Sequence, residues 1–562
     1  MAARIVCLVW LLQLGSCVVG PPVPLYDIII HNGTIYDGSG REPVRADLAI
    51  IADRIAGIGD YSDASAQRDI DAHGLAVAPG FINMLSWATT SLIADGRSQG
   101  DIRQGVTLEV FGEGSSSGPL NKQMRKDAEG RQVDFYYDVE WTTLGEYLDY
   151  LVRRGVSTNV ASFVGATTVR VHELGYVDRA PSAPELVRMQ NLVRQAMREG
   201  ALGVGSSLIY APAFYADTAE LVALSRAAGE FGGMYVSHLR SEGNRLLESI
   251  DELVTIAREA GVPAEIYHLK MSGQHNWGKF EAAVEMVEQA RAEGLAITAN
   301  MYTYKAGSTG LDAAMPPWVQ EGGYQAWVAR LGDAKIRARV AQEMITPSNE
   351  WENLGLAAGP EGMLLVGFRN KALRGYIGRT LADVAAERGA SAEATAIDLV
   401  IEDGSRVQVV YFLMSEENVK KCVALPWVSF GSDARSMSTE GLFLEQSTHP
   451  RAYGNFVRVL GKYVREEHVL SMQQAIYKLT GLPAGNLKLR DRGRLREGYF
   501  ADVVLFDPEQ IRDHATYDDP HRYATGMRYV VVNGKLVLDE GEHTGALPGR
   551  VVRGPGWSGW HR

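Results

Sequence analysis

Cysteine is almost absent from the 562 residues: Cys7, Cys17 and Cys422 are the whole complement. Two of them fall within the first twenty residues, which excludes a disulfide framework in the mature fold. A chain of this length, 46% hydrophobic, can stand on its apolar core alone. Basic clusters and low-complexity tracts are also lacking, and the formal net charge is -12. That balance speaks against nucleic acid or an anionic membrane as a partner. No Gly-rich phosphate loop opens any helical stretch, so a nucleotide-binding doubly wound sheet finds no support.

The first residues differ from the rest. "MAARIVCLVWLLQLGSCVVG" carries one Arg, an apolar run from Ile5 to Leu14 and then small residues. This is the pattern of a secretory signal peptide over residues 1–20, too short for a spanning helix. "LGSC" at Leu14–Cys17 resembles a bacterial lipoprotein box, which would leave Cys17 as a lipid anchor and the only tie to a membrane. Export to the periplasm or the medium is the expectation.

Beyond Leu25 the chain alternates in short β runs separated by "HNG" and "DGSG" turns, and the far end does the same around Asn533–Gly534. Residues 25–76 and 484–552 are expected to join into one β-sandwich. Between them, over 77–483, helical periodicity alternates with apolar runs. "SAPELVRMQNLVRQAMREG" opens with Ser182 and Glu185 as a capping box and places Leu186, Met189, Val193 and Met197 on one face. Four helix–Gly–strand units in succession imply parallel strands with right-handed crossovers. Eight candidate strands can be counted, which predicts a (β/α)₈ TIM barrel. The chain around 305–425 exceeds what one βα loop needs and reads as an insertion, either a lid over the barrel mouth or a peripheral decoration.

A barrel keeps its chemistry at the C-terminal ends of its strands. Those ends deliver Glu113 in "LEVFGE", His238 in "MYVSH", His268 in "EIYH" and Asp433 in "VSFGSD". Two imidazoles and two carboxylates converging there form a constellation able to bind zinc. Glu109, deeper on the strand, reads as an internal barrel residue, and Ser115–Ser117 as a loop rather than part of a triad. Lys270, Arg435 and Arg240 each lie two residues past a site residue and are candidate cations for an anionic substrate. Each could equally be a rim salt bridge. Tyr210 is a candidate hydrogen-bond donor, and His275 reads as loop structure.

The stretches "VAPGFIN", "QGVTLEVFGEG", "GALGVGSSLIYAPAF", "YVSHLRSEG", "IYHLKMSG", "WVSFGSDARS" and "HPRAYGNFVRVL" resemble the amidohydrolase superfamily, and within it the N-acyl-D-amino-acid deacylases. The resemblance implies His238 and His268 as zinc-binding histidines, Asp433 as the aspartate that handles the proton, and Lys270 as the best candidate for the substrate carboxylate. The sequence departs from the pattern twice. The first-strand His-X-His is replaced by Leu85-Ser86-Trp87. The usual second-strand cysteine of "TGNCG" is also missing, and "FGEGS" offers Glu113 one residue earlier. A carboxylate reaches further than a thiolate, and the neighbouring glycine permits a bulge.

The expected centre therefore holds one zinc through Glu113, His238 and His268, with Asp433 as general base and acid, and Lys270, Tyr210 and Arg435 at the substrate. The expected substrate is a small N-acyl amino acid, most simply an N-acyl-D-amino acid. A dipeptidase or cyclic-amide hydrolase is the nearest alternative. A catalytically dead exported binding protein is the third.

Overall fold

The computed structural model describes residues 25–561, so the expected signal peptide and Cys17 lie outside the described residues. Among these residues no helix is long and apolar enough to cross a membrane.

The two chain ends share one sheet of nine strands, in which Ala76–Pro79 pairs antiparallel with Val503–Phe506. Its wings pack together through Ile28, Ile50 and Ile70 on one side and Val503, Leu505 and Val531 on the other, giving the β-sandwich. The sandwich strand runs three residues past the expected boundary and hands the chain to the barrel at Gly80, whose N–H donates to the Asp502 carbonyl at 2.9 Å.

The barrel strands are β1 (Phe81–Asn83), β2 (Val106–Phe111), β3 (Asn159–Ser162, resumed at Val164–Gly165), β4 (Gly203–Ser207), β5 (Met234–His238), β6 (Ala264–Ile266), β7 (Ile297–Met301) and β8 (Val428–Phe430). Neighbours pair in parallel from β1 to β3 and from the second half of β3 to β8. The ring closes between β8 and β1, where Met84 N–H donates to Phe430 O at 3.2 Å and Asp433 N–H to Leu85 O at 2.8 Å. These are the eight strands expected from the sequence.

The helices follow the same local rules. The helix at Lys122–Gly130 (α1) is capped by Asn121, whose side chain accepts from Met124 N–H. The helix at Ala183–Arg198 (α2) starts where the Glu185 carboxylate accepts from Ser182 N–H and Oγ–H, both at 2.7 Å. It buries Met189, Val193 and Met197 as its periodicity requires. The insertion forms a three-stranded antiparallel sheet (Ala306–Gly310, Met363–Gly367, Gln408–Phe412) with its own apolar cluster. Thr309, Phe368 and Arg406 from it wall the cavity above the barrel, so it roofs the mouth instead of decorating the periphery.

Barrel and sandwich are locked by a buried polar network. Asp502 accepts from Asn533 N–H at 2.8 Å and from Asn159 Nδ2 at 3.3 Å, and it pairs with Arg492. Asn533 Nδ2 donates to Asn159 Oδ1 at 2.8 Å. Removing one member leaves a buried charge uncompensated. Asp502→Ala should therefore lower the urea midpoint by the equivalent of about 3–5 kcal/mol, and an unchanged midpoint would show that the network does not hold the joint.

Candidate metal centre

Glu113, His238 and His268 meet at the centre of the barrel mouth, all three buried. Glu113 leaves β2 between Gly112 (φ +107°) and Gly114 (φ +65°), two left-handed residues where a Cβ would strike Phe163 and Ser207 respectively. This kink turns the carboxylate inward. Its Oε1 stands 3.0 Å from His238 Nδ1 and 3.0 Å from His268 Nε2. Ligand atoms around a tetrahedral zinc with bonds of about 2.0–2.1 Å lie roughly 3.3 Å apart. The N, N, O donor set thus fits zinc in kind and nearly in spacing.

The outer nitrogens of both histidines face a second carboxylate. Glu242 Oε1 is 2.9 Å from His268 Nδ1, and Glu242 Oε2 is 3.5 Å from His238 Nε2. Such a partner fixes which nitrogen of each ring is free for a metal. Lys270 Nζ donates to Glu242 Oε1 at 2.7 Å and lies 2.6 Å from His268 Nδ1. Burial opposes ionisation of Glu242, but Lys270 and the two histidines hold its pKa well below the usual range. The same contest depresses Glu113, where His268 and His238 outweigh burial. Burial and Lys270 push His268 down, yet Glu242 and Glu113 prevail and raise it to about 9.

On the other side of Glu113, the indole N–H of Trp87 is shared between two carboxylates, with Glu113 Oε2 and Asp433 Oδ1 each at 3.0 Å. Asp433 Oδ2 is 2.8 Å from Arg451 Nη1. Burial raises the Asp433 carboxyl, Arg451 opposes, and the nearby Glu113 charge adds to the rise. Both His268 (φ +37°) and Asp433 (φ +48°) adopt left-handed backbone, uncommon outside glycine and typical of constrained functional positions. Arg451 lies 4.4 Å over the ring of Tyr302, and Lys270 Nζ 5.5 Å over the same ring. All of these groups line one cavity of about 970 Å³.

The sequence profile of the amidohydrolase family matches residues 68–538. The chain belongs to the amidohydrolase family. It is 33% identical over 528 residues to D-aminoacylase of Alcaligenes xylosoxydans xylosoxydans, an alignment covering 94% of this chain and 97% of the relative. Among solved structures it is similar to N-acyl-D-glutamate deacylase from Bordetella bronchiseptica, complexed with zinc and a phosphonate that mimics the tetrahedral intermediate. There the identity is 28%, the TM-score 0.78 and the coverage 94% of this chain and 100% of the other. A D-aminoacylase structure that describes a binuclear metal centre, with one-metal activation and second-metal attenuation, gives 31% identity and a TM-score of 0.77 at the same coverage.

Within this amidohydrolase the sequence-expected residues fall as follows. Glu113, His238, His268 and Asp433 come together, and Lys270, Tyr210 and Arg435 line the same cavity. Tyr210 packs edge-on to His238 with centroids 5.4 Å apart. Lys270, expected either as a cation for the substrate or as a salt-bridge partner, has its ammonium 2.7 Å from Glu242 and still lines the cavity. Arg240 is a rim salt bridge with Glu252 at 2.8 Å, and His275, expected in a loop, lies in a short 3-10 helix at Gln274–Lys279 and bonds Asn244. Glu109 is internal and takes hydrogen bonds from Ser86, Ser98 and Thr158. Trp87, Glu242, Tyr302 and Arg451 were given no role by sequence reasoning. For Glu242 the signal was available, four residues after His238 in "HLRSEG".

A protonated His268 must lose its proton to bind a metal. Zinc uptake by the metal-free protein at pH 7.5 should therefore release about one proton, and affinity should fall as pH drops below 9. Calorimetry in two buffers of different ionisation heat measures both, and pH-independent affinity would remove His268 from the ligand set. Glu113→Gln should lower zinc occupancy, and full occupancy would exclude the carboxylate.

Proposed function

We propose that this chain hydrolyses the amide bond of N-acyl amino acids, in the first instance N-acyl-D-amino acids, with one zinc held by Glu113, His238 and His268. The observation that carries this reading is the meeting, in one cavity, of a zinc-type donor set, a carboxylate poised for proton transfer and two cations beside Tyr302. Its likeness to D-aminoacylase and to the zinc-bearing N-acyl-D-glutamate deacylase supports the substrate class. When bound, zinc supplies Lewis-acid activation of water and of an amide carbonyl.

The chain's own residues supply the rest. Asp433 takes the proton of the attacking water and delivers it to the departing nitrogen, general acid–base help typically worth about 10²–10⁴ in rate. Trp87 fixes one of its oxygens and Arg451 the other, so the carboxylate cannot rotate away. Its raised pKa makes it a stronger base than a solvent-exposed aspartate. Lys270, Arg451 and the Tyr302 hydroxyl offer a seat for the substrate carboxylate. Counting zinc, Lys270 and Arg451 against Glu113, Glu242 and Asp433 leaves one positive charge, which a monoanionic substrate neutralises. Arg435 opens onto the cavity further out, with Asp134 the acidic group that acts on it.

The first strand supports one metal per chain. Leu85 is sealed in an apolar cluster, and the Trp87 indole aims an N–H at both carboxylates that a second cation would need. The pattern of residues 1–20 supports an exported enzyme, with Cys17 as the candidate lipid site.

Asp433→Asn should abolish turnover of N-acetyl-D-amino acids while zinc content stays near one per chain. Retained activity would refute the proton-transfer role. A wild-type stoichiometry of two after saturation with zinc would refute the single-metal reading.

A further inference from the structure

The cavity is far larger than the substrate class requires. At about 970 Å³ it lies at the top of the range of roughly 300–1,000 Å³ that encloses drug-sized ligands, well beyond an N-acetyl amino acid. The surplus has a direction. Four residues past Glu113, the Ser117 carbonyl accepts from Trp141 Nε1 at 2.6 Å. Tyr137 stacks on Trp141 (centroids 6.2 Å, planes 10° apart), and Phe135 on Tyr137 (5.4 Å, 28°). Leu120, Met124 and Ala128 recur every four residues along α1 and its entry, and line the same cavity as the three rings. Yet α1 has no fully buried residue: Met124 and Ala128 pack against the edge of the main apolar core and stay partly exposed to the cavity.

We infer that this arm receives the acyl group, and that the acyl group is long-chain aliphatic or arylalkyl, not acetyl. The inference rests on the deacylase reading above. Its logic is positional. The arm grows from the loop after β2, whereas Lys270 and Tyr302 follow β6 and β7. Strands two and six of eight face each other across a barrel. A substrate whose carboxylate sits at Lys270, Arg451 and Tyr302 keeps its amino-acid side chain at that same end, since both branch from one carbon. With the scissile amide at the triad, what remains to cross toward β2 is the acyl group. Aromatic faces and a methionine are suited to a flexible apolar chain, and each buried methylene adds to affinity in proportion to the area removed from water.

The test compares N-acetyl-D-leucine with N-dodecanoyl-D-leucine, below its micelle concentration, for binding to zinc-loaded Asp433→Asn protein by calorimetry. The dodecanoyl ligand should bind at least about thirtyfold more tightly. Met124→Asp, and separately Ala128→Asp, should cut that ratio to about threefold or less. Equal binding of the two ligands, or a preference that both aspartate variants retain, would overturn the inference. Hydrolysis of the same pair by the wild-type enzyme is read separately: if neither is cleaved, the deacylase reading fails, while the binding ratio still decides the arm.

Discussion

The centre depends on one buried carboxylate. Glu113 gives one oxygen to two histidines and the other to an indole, so it is at once their counter-charge and the point where three side chains meet. A carboxylate in this position is held ionised only because positive groups surround it, and the surrounding groups are placed by it in turn. Take it away and the two imidazoles, packed edge to face with centroids 4.5 Å apart, lose the acceptor they share, while Trp87 keeps only Asp433. The glycines that flank Glu113 are what let a side chain of this length turn inward at that depth.

Around this carboxylate the cavity is built from neutralised pairs, Lys270 with Glu242, Arg451 with Asp433 and Arg406 with Asp312. Buried ion pairs of this type contribute little net stability, because desolvation offsets their attraction. Their value is orientation. Glu242 fixes both imidazoles, and Arg451 with Trp87 fixes the Asp433 carboxylate, so the polar groups of the cavity are held in place by the protein itself.

The barrel, the sandwich and the four strand-end residues were legible in the sequence. Their signals are local: a capping box at Ser182, apolar runs after Gly joints, and chemistry-bearing residues that end each run. What stayed illegible are the contacts made at a distance. Trp87 and Asp433 are 346 positions apart, and nothing near Trp87 says that its indole will serve two carboxylates. Arg451 sat in a matching stretch, but its meaning needs Tyr302, which arrives from another strand. Lys270 was placed on the face of His268 with a salt bridge left open, but its partner could not be named, since Glu242 belongs to the preceding strand-end loop. The aromatic arm was missed because Phe135, Tyr137 and Trp141 lie in an irregular segment with no periodicity to mark them.

The shared sheet has a consequence for how the chain is made. Ala76–Pro79 meets its partner Val503–Phe506 more than four hundred residues later. During synthesis the N-terminal strands must therefore wait, with their hydrogen-bonding edge open, until nearly all of the barrel has left the ribosome. Pairings of such long range form slowly, and open edges invite association with other chains. Native structure can be completed only after the C-terminal segment is released. Until then these N-terminal strands are the part of the enzyme most in need of a chaperone.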